Sequence, residues 1–221
     1  MESDRISSLL DSLLAHIVSY LPIEDSIKTS VLSKRWELVW LNASVLDLKK
    51  SVFPPDNNKV PEMVMNKFLK FNRRLHMHTF KVKYDDHNIC TFQYLVWIDI
   101  MINRGIQHLD VETNNSHDHI HYMPKNIYKS KTLVCLKLTN VGITDNHQEL
   151  VVSLPCLKIM YLEDIFLDKD GPLITEKLIL GCPVLEDLNL LRGQYLDDDV
   201  QNLPLLRVKS QTLKIFRLTF N

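Results

Sequence analysis

Two hydrophobic periods divide the chain. Near the N-terminus, Leu10, Leu13, Leu14, Ile17, Val18 and Leu21 fall at i, i+3, i+4, i+7, i+8 and i+11, one wide apolar stripe on a helix. Ser8, with Asp11 three residues on, has the form of a capping box at its start. Pro22 ends it, because proline disfavours helical geometry in the residue before it. Glu24 and Asp25 stand in the first turn of a second helix, where the dipole favours them, and Ile27 and Val31 supply its apolar face. Ser33 is placed to cap a third helix, with Trp36, Val39 and Trp40 on one side and Lys34 and Arg35 directed elsewhere. So short a segment buries little core by itself. Periodicity leaves two readings open: a three-helix lid over the next domain, or a docking module whose stripe needs a partner.

From Leu46 the period changes. Short LxxLxL-like cores recur as Leu133–Leu136–Leu138, Leu157–Met160–Leu162, Leu185–Leu188–Leu190 and Leu213–Phe216–Leu218, with looser copies at Met77–Phe80–Val82 and Ile106–Leu109–Val111, and Leu46 and Leu48 opening the series. The middle apolar residues are 34, 29, 27, 24, 28 and 28 residues apart. The later steps fall in the leucine-rich-repeat range of about 20–29 residues. Each unit reads as a short strand followed by a segment that returns the chain. One unit cannot bury its own face, so neighbours must stack. Val64, Phe68, Phe71 and Leu75 form a helical stripe between strands; Leu95, Ile98 and Ile102 form another, closed by Gly105; residues 171–182 suggest a third. Residues 49–61, with adjacent prolines, read as an irregular loop.

Within each LxxLxL core, the residue between the last two apolar positions projects from the opposite face of the sheet. These residues are Lys81, Asp110, Lys137, Tyr161, Asn189 and Arg217. They form either a plain solvated face or, as a set, the place for partner contact. Their mixed charge selects no ligand class.

Composition narrows the chemistry. The 221 residues are 45% hydrophobic, enough for one or two globular domains. With 26 Lys and Arg against 27 Asp and Glu, the net charge of −1 gives no global pull on nucleic acid or anionic membrane. The start, MESDRISS, does not read as a signal peptide, and no apolar run approaches the 18 or so residues of a spanning helix. Cys90, Cys135, Cys156 and Cys182 form no CxxC pair and read as buried free thiols in a reducing compartment. Only 5 glycines disfavour glycine-rich phosphate loops. His117, His119 and His121 alternate in SHDHIH, which on a strand would place three imidazoles on one face, but no second ligand cluster supports a metal over a polar loop. Asp197–Asp198–Asp199 lacks calcium-loop spacing. Cys156 and Cys182 show no base that would make either a nucleophile.

The residue identities go further. DRISSLLDSLLAHIVSYLPIEDSIKTSVLSKRWELVW, residues 4–40, resembles the F-box of plant F-box/leucine-rich-repeat proteins. DRIS, the LL-x-x-I helix, the YLP turn and SVLSKRW with a second Trp four residues on carry the resemblance. FQYLVWIDIMINRGIQHLDVET, YKSKTLVCLKLTNVGI, LPCLKIMYLEDIFL and LILGCPVLEDLNL are similar to that family's repeats, so the likeness covers nearly the whole chain. It implies an α+β fold, a three-helix F-box over residues 1–45 followed by an irregular α/β leucine-rich-repeat solenoid over 46–221, a curved parallel sheet with helices on the convex side. No FBD domain or terminal cap is evident, which suggests a short paralogue or truncated product with an association-prone edge.

Function follows from the same resemblance. It implies a non-catalytic substrate-recognition subunit of an SCF-type ubiquitin ligase in the nucleus and/or cytoplasm, needing no cofactor. The F-box would dock a Skp-type adaptor, and through it a cullin–RING ligase, while the repeats bind a target protein rather than nucleic acid or membrane. The adaptor contacts it implies are Leu9, Leu10, Leu13, Leu14, Ile17, Leu21, Pro22, Val31, Leu32, Ser33 and Trp36, with Trp36 as anchor. The concave side of the solenoid would carry Lys81 and its five counterparts. The alternative is a repeat scaffold, or an adaptor-binding decoy, without ligase function. Two departures stand out. Leu9–Leu10–Asp11 replaces the family's Leu-Pro-Asp, and the asparagine that often closes the repeat strand is in register only at Asn114 and Asn221.

Overall fold

The N-terminal stripe folds as α1 (Asp11–Val18), which stops at Ser19–Tyr20, and α2 (Ile23–Lys28) follows Pro22. In the computed structural model the described residues are 5–6, 8–49, 59–71, 77–85, 91–114, 120–144, 148–166, 171–192, 208 and 210–220. By compactness the chain divides into Met1–Val82 and Lys83–Asn221. The first strand starts at residue 45, and the first unit extends well beyond it.

Three local expectations for the helices are corrected. The third helix is a 3-10 helix, Trp36–Asn42, and a 3-10 turn, Thr29–Val31, extends α2. Ser8 caps nothing: α1 has Leu10 at its N-cap with no side-chain bond, and the Ser8 hydroxyl donates instead to the Arg5 carbonyl at 2.7 Å. Ser33 does not cap the Trp36 helix either, whose N-cap is Arg35. The first unit is pinned by Ser26, a buried serine whose hydroxyl donates to the Val18 carbonyl at 2.8 Å and ties α2 to the end of α1. Leu14, Val18, Ile23, Trp36, Val39 and Trp40 make its core. The same unit holds β1 (Val45–Asp47), α3 (Lys59–Phe71) and the first part of β2 (Thr79–Asp85); β1 and β2 run parallel with Leu46 opposite Phe80. Lys59–Pro61, expected in a loop, open α3, where a proline in the first turn costs no helical hydrogen bond. Val64 and Phe68 are buried on it, Phe71 is exposed, and Leu75 lies outside the described residues.

The second unit is built on five parallel strands: β3 (His108–Asn114), β4 (Cys135–Thr139), β5 (Ile159–Glu163), β6 (Asp187–Arg192) and β7 (Ile215–Phe220). They pair in chain order, and Leu109, Leu136, Met160, Leu188 and Phe216 are direct register partners. The repeat spacing therefore set the register. α4 (Thr91–Asn103) precedes β3 and α5 (Gly171–Leu180) precedes β6. Gly105, at φ 78°, ends α4 in a Schellman arrangement: its own amide donates to Ile102 and the Ile106 amide to Met101. Gly181 is required by space, since a Cβ there would lie 2.8 Å from the Val152 carbonyl oxygen.

Two sequence copies show how the repeats are stapled together. In Ser130–Lys131–Thr132–Leu133 the Thr132 hydroxyl donates to the Ile106 carbonyl at 2.9 Å. In Ser210–Gln211–Thr212–Leu213 the Thr212 hydroxyl donates to Leu185 at 2.8 Å. Ile106 and Leu185 open their own repeats, so each threonine reaches back to the same place in an earlier unit. At the strand ends, Asn140 and Asp164 hold the left-handed conformation at φ 58° and 49°, which short polar residues tolerate best after glycine. Asn114 does close β3, and Asn221 lies outside the described residues.

Buried acids, Tyr128 and Cys182 foremost, make the second unit sensitive to alkali. Tyr128 is buried, its hydroxyl donates to the Ile143 carbonyl at 2.9 Å, and burial drives its pKa far above the ordinary 10.0. Burial also raises the Cys182 thiol from 9.0 to about 12. Both groups keep their protons in the folded state after the unfolded chain has lost them. Their contribution is therefore complete below the unfolded values and declines as pH rises through them toward the folded ones. Urea unfolding is expected to show stability falling above pH 9, and more steeply above pH 10, by roughly 1 kcal/mol per pH unit for each group. Tyr128→Phe is expected to remove the steeper component; an unchanged alkaline slope in that variant counts against this assignment.

Candidate functional site

The residues singled out on α1 separate into two surfaces. Leu14, Ala15 and Val18 turn into the core, while Leu10, Leu13, Ile17 and, past the helix end, Leu21 stay exposed. A stripe that wide cannot be covered by one packing contact, so the helix has an inner and an outer apolar edge. After α2 the chain exposes Val31 (86%) and Leu32 (65%), and Leu10 is 71% exposed. Pro22 and Ser33 are also exposed, and Leu9 is half-buried. Leu14 and Trp36 are not on this surface: both are buried in the module's own core, so Trp36 holds the module together and offers no face to a partner in this conformation. Ile6, Tyr20 and Leu38 are exposed large apolar residues that the sequence reading did not single out. Tyr20 sits in the YLP turn, the one sequence signal that points to it.

The strand-facing residues line up as their spacing requires. Asp110, Lys137, Tyr161, Asn189 and Arg217 form one cross-strand row over β3 to β7. In the first unit Lys81 lies opposite Asp47, and their side chains pair at 3.2 Å. The row is internally bonded. The Lys137 ammonium lies 5.9 Å from the centre of the Tyr161 ring. Arg217 donates to the Asn189 side-chain oxygen at 2.9 Å, and Asn189 donates to Asp187 at 2.7 Å. Asn189 is thereby largely buried and acts as a bracket for Arg217 more than as a contact of its own. Tyr161 has a raised pKa from burial, with the nearby Glu163 carboxylate adding to it, so its hydroxyl remains a neutral donor.

Two flanking rows belong to the same face, since they lie two residues away along each strand. His108, Cys135, Ile159, Asp187 and Ile215 form one; Glu112, Thr139, Glu163, Leu191 and Thr219 form the other. Ile159 and Ile215 are exposed apolar residues on a polar face. Strand alternation would have marked them had the motif been extended two residues toward the strand start. Glu112 is paired with Lys83 at 2.6 Å.

Among the described residues the remaining candidates bring no catalytic constellation together. His121 meets the Tyr84 ring edge-on at 5.9 Å, while His117 and His119 lie outside the described residues, as do Asp197–Asp199 and Cys90. Among the described residues no group of three or more metal-ligating side chains converges. Cys135 and Cys182 are buried free thiols, and Cys156 is exposed, which corrects the expectation of burial for that residue. Burial raises the Cys135 and Cys182 thiols, the opposite of what activates a nucleophile. Among the described residues no helix is long and apolar enough to cross a membrane.

Comparison with known proteins finds two family matches on the chain. Residues 6–47 match the F-box domain model, and residues 95–220 match the model described as FBD-associated F-box protein At5g56370, LRR repeats. The whole chain is 50% identical to the F-box/FBD/LRR-repeat protein At2g26030 of Arabidopsis thaliana and covers 48% of that protein. It is 51% identical to the putative F-box/FBD/LRR-repeat protein At5g44950, again over the whole chain and 48% of the relative. Over 62% of the chain it is 57% identical to the putative F-box protein At1g32020, covering 80% of that protein. All three are from Arabidopsis thaliana. The chain spans about half the length of the first two. No solved structure matches it. The chain belongs to the plant F-box/leucine-rich-repeat family.

Proposed function

We propose that the chain is a substrate-recognition subunit of an SCF-type ubiquitin ligase in the nucleus and/or cytoplasm. The observation that carries this reading is the set of large apolar side chains that the N-terminal module leaves exposed, Leu10, Leu13, Ile17, Leu21, Val31 and Leu32, after Leu14, Trp36 and Trp40 have been buried. Exposed apolar area of this kind in a charged, near-neutral chain marks a protein contact. F-box domains in general bind Skp-type adaptors. The repeats then hold a target protein on the face carrying Asp110, Lys137, Tyr161 and Arg217, with Asn189 bracketing the last. The subunit breaks no bond itself; it raises the target's effective concentration near the ubiquitin-loaded enzyme.

Titrating the full chain with recombinant Skp-type adaptor, followed by addition of a cullin–RING scaffold, tests this. A one-to-one complex that then enters the cullin assembly is expected. No binding to the adaptor removes the proposal and leaves a repeat scaffold. Adaptor binding with no ubiquitination of any captured target indicates a decoy.

A further inference from the structure

We infer that Arg35 is a positioning residue for adaptor docking, clamping the start of α1 to the segment that follows Val31 and Leu32; this rests on the docking role proposed above. α1 begins without a side-chain cap, because Leu10 occupies its N-cap and Ser8 turns back to Arg5. Arg35, 24 residues from Asp11 and 26 from Leu9, does not replace that cap, since a guanidinium only donates; it ties the helix start down from outside instead. The Arg35 Nε donates to Asp11 Oδ1 at 2.8 Å, Nη2 lies 2.7 Å from the same oxygen, and Nη2 also donates to the Leu9 carbonyl oxygen. One planar guanidinium therefore holds both the carboxylate at the first helical position and the backbone just before it. Lysine, a point charge, cannot make both contacts with that geometry.

The placement matters because of what flanks each end. Leu9 and Leu10 lie on one side of the clamp, and Asp11 opens the helix that presents Leu13 and Ile17. Arg35 follows the exposed Val31–Leu32–Ser33 segment and is itself the N-cap of the Trp36–Asn42 helix. The ion pair is solvent-exposed, with side chains 38% and 69% accessible, so its effect on global stability is small. Its effect falls on the geometry of the first turn of α1, where the Leu13 and Leu14 amides both bond to the Leu10 carbonyl at 3.0 Å.

A double-mutant cycle on the full chain tests the inference, using adaptor affinity and amide hydrogen exchange of the free chain. Arg35→Ala is expected to weaken adaptor binding roughly three- to tenfold and to speed exchange at Leu13 and Leu14. Asp11→Ala should do the same, the double variant should be no worse than either, and Arg35→Lys should recover part of the loss. Additive losses in the cycle would mean that Arg35 touches the adaptor directly, and unchanged exchange in Arg35→Ala would mean that it clamps nothing; either result overturns the inference. If the wild-type chain binds no adaptor, the docking role fails, while the exchange measurement still decides whether the clamp exists.

Discussion

Leu10→Asp combined with Val31→Asp is expected to lower affinity for a Skp-type adaptor about a hundredfold or more while leaving the chain folded. Both side chains are mostly solvent-exposed in the free chain, so placing a carboxylate at either position costs the folded state little. In a docked complex each carboxylate would sit in an apolar contact. Truncating one well-packed interface anchor costs about 2 kcal/mol or more, and leaving a charge desolvated costs further. The contrast is with Trp36→Ala and Leu14→Ala. These residues are buried in the module, so their replacement leaves cavities worth about 2–5 kcal/mol and loosens the fold itself. Binding measured beside the melting curve separates the two classes. The aspartate pair should lose binding at an unchanged melting temperature, whereas the core pair should lose both. Retention of near wild-type affinity by the aspartate pair would place the adaptor surface elsewhere on the module.

The same division shows what the sequence could and could not convey. The repeat register was legible residue by residue. The middle apolar residue of each core, Leu109, Leu136, Met160, Leu188 and Phe216, is the pairing partner of the next. The two-residue alternation fixes the face and the repeat fixes the strand, so both are written locally. The ends of helices were less legible. Ser8 and Asp11 have capping-box spacing, yet α1 has no side-chain cap, and Asp11 accepts from Arg35. A local signature cannot report a donor 24 residues away that takes up the Asp11 carboxylate, and the Ser8 side chain turns back toward Arg5 rather than toward the helix amides. Likewise the apolar period marked Leu10, Leu13, Leu14 and Ile17 as one stripe. Which of them turn inward depends on the helices packed against α1, and only the tertiary structure gives that. Trp36, expected as an anchor, is buried here, because a large aromatic residue in a short motif looks the same whether it anchors a partner or its own core.

The strand-facing row carries a related lesson. The spacing makes Lys137, Tyr161, Asn189 and Arg217 part of one polar row, a solvated face or a place for partner contact, and they are in register across the strands. Their side chains are already engaged across the strands, Lys137 with Tyr161 and Arg217 with Asn189 and, through it, Asp187. A target meeting this face would meet a pre-ordered polar surface, which lowers the entropic cost of fixing long side chains on binding. The exposed Ile159 and Ile215 in the adjoining row supply the apolar area that such a surface otherwise lacks.

Stability along the repeats should depend on position in the stack rather than on residue type, and two leucines at one repeat position test this. Leu138 and Leu218 belong to the same cross-strand row, which runs Val111, Leu138, Leu162, Leu190, Leu218. Leu138 has strands on both sides and is 0% exposed; Leu218 lies on β7, which among the described residues pairs with β6 alone, and is 45% exposed. Leu138→Ala removes a fully buried side chain between neighbours that are held by their own repeats and cannot close around the gap. Its expected cost is about 2–5 kcal/mol. Leu218→Ala removes a side chain that already keeps nearly half its surface in water, and its expected cost is below about 1.5 kcal/mol. Because each repeat touches only its neighbours, the loss at Leu138 also weakens the coupling between the strands before and after it. Urea unfolding of Leu138→Ala should therefore show an earlier midpoint together with a broader transition, whereas Leu218→Ala should keep the wild-type shape. Equal midpoints for the two variants would mean that β7 is as well covered as β4, and the stacking account of this unit would have to be abandoned.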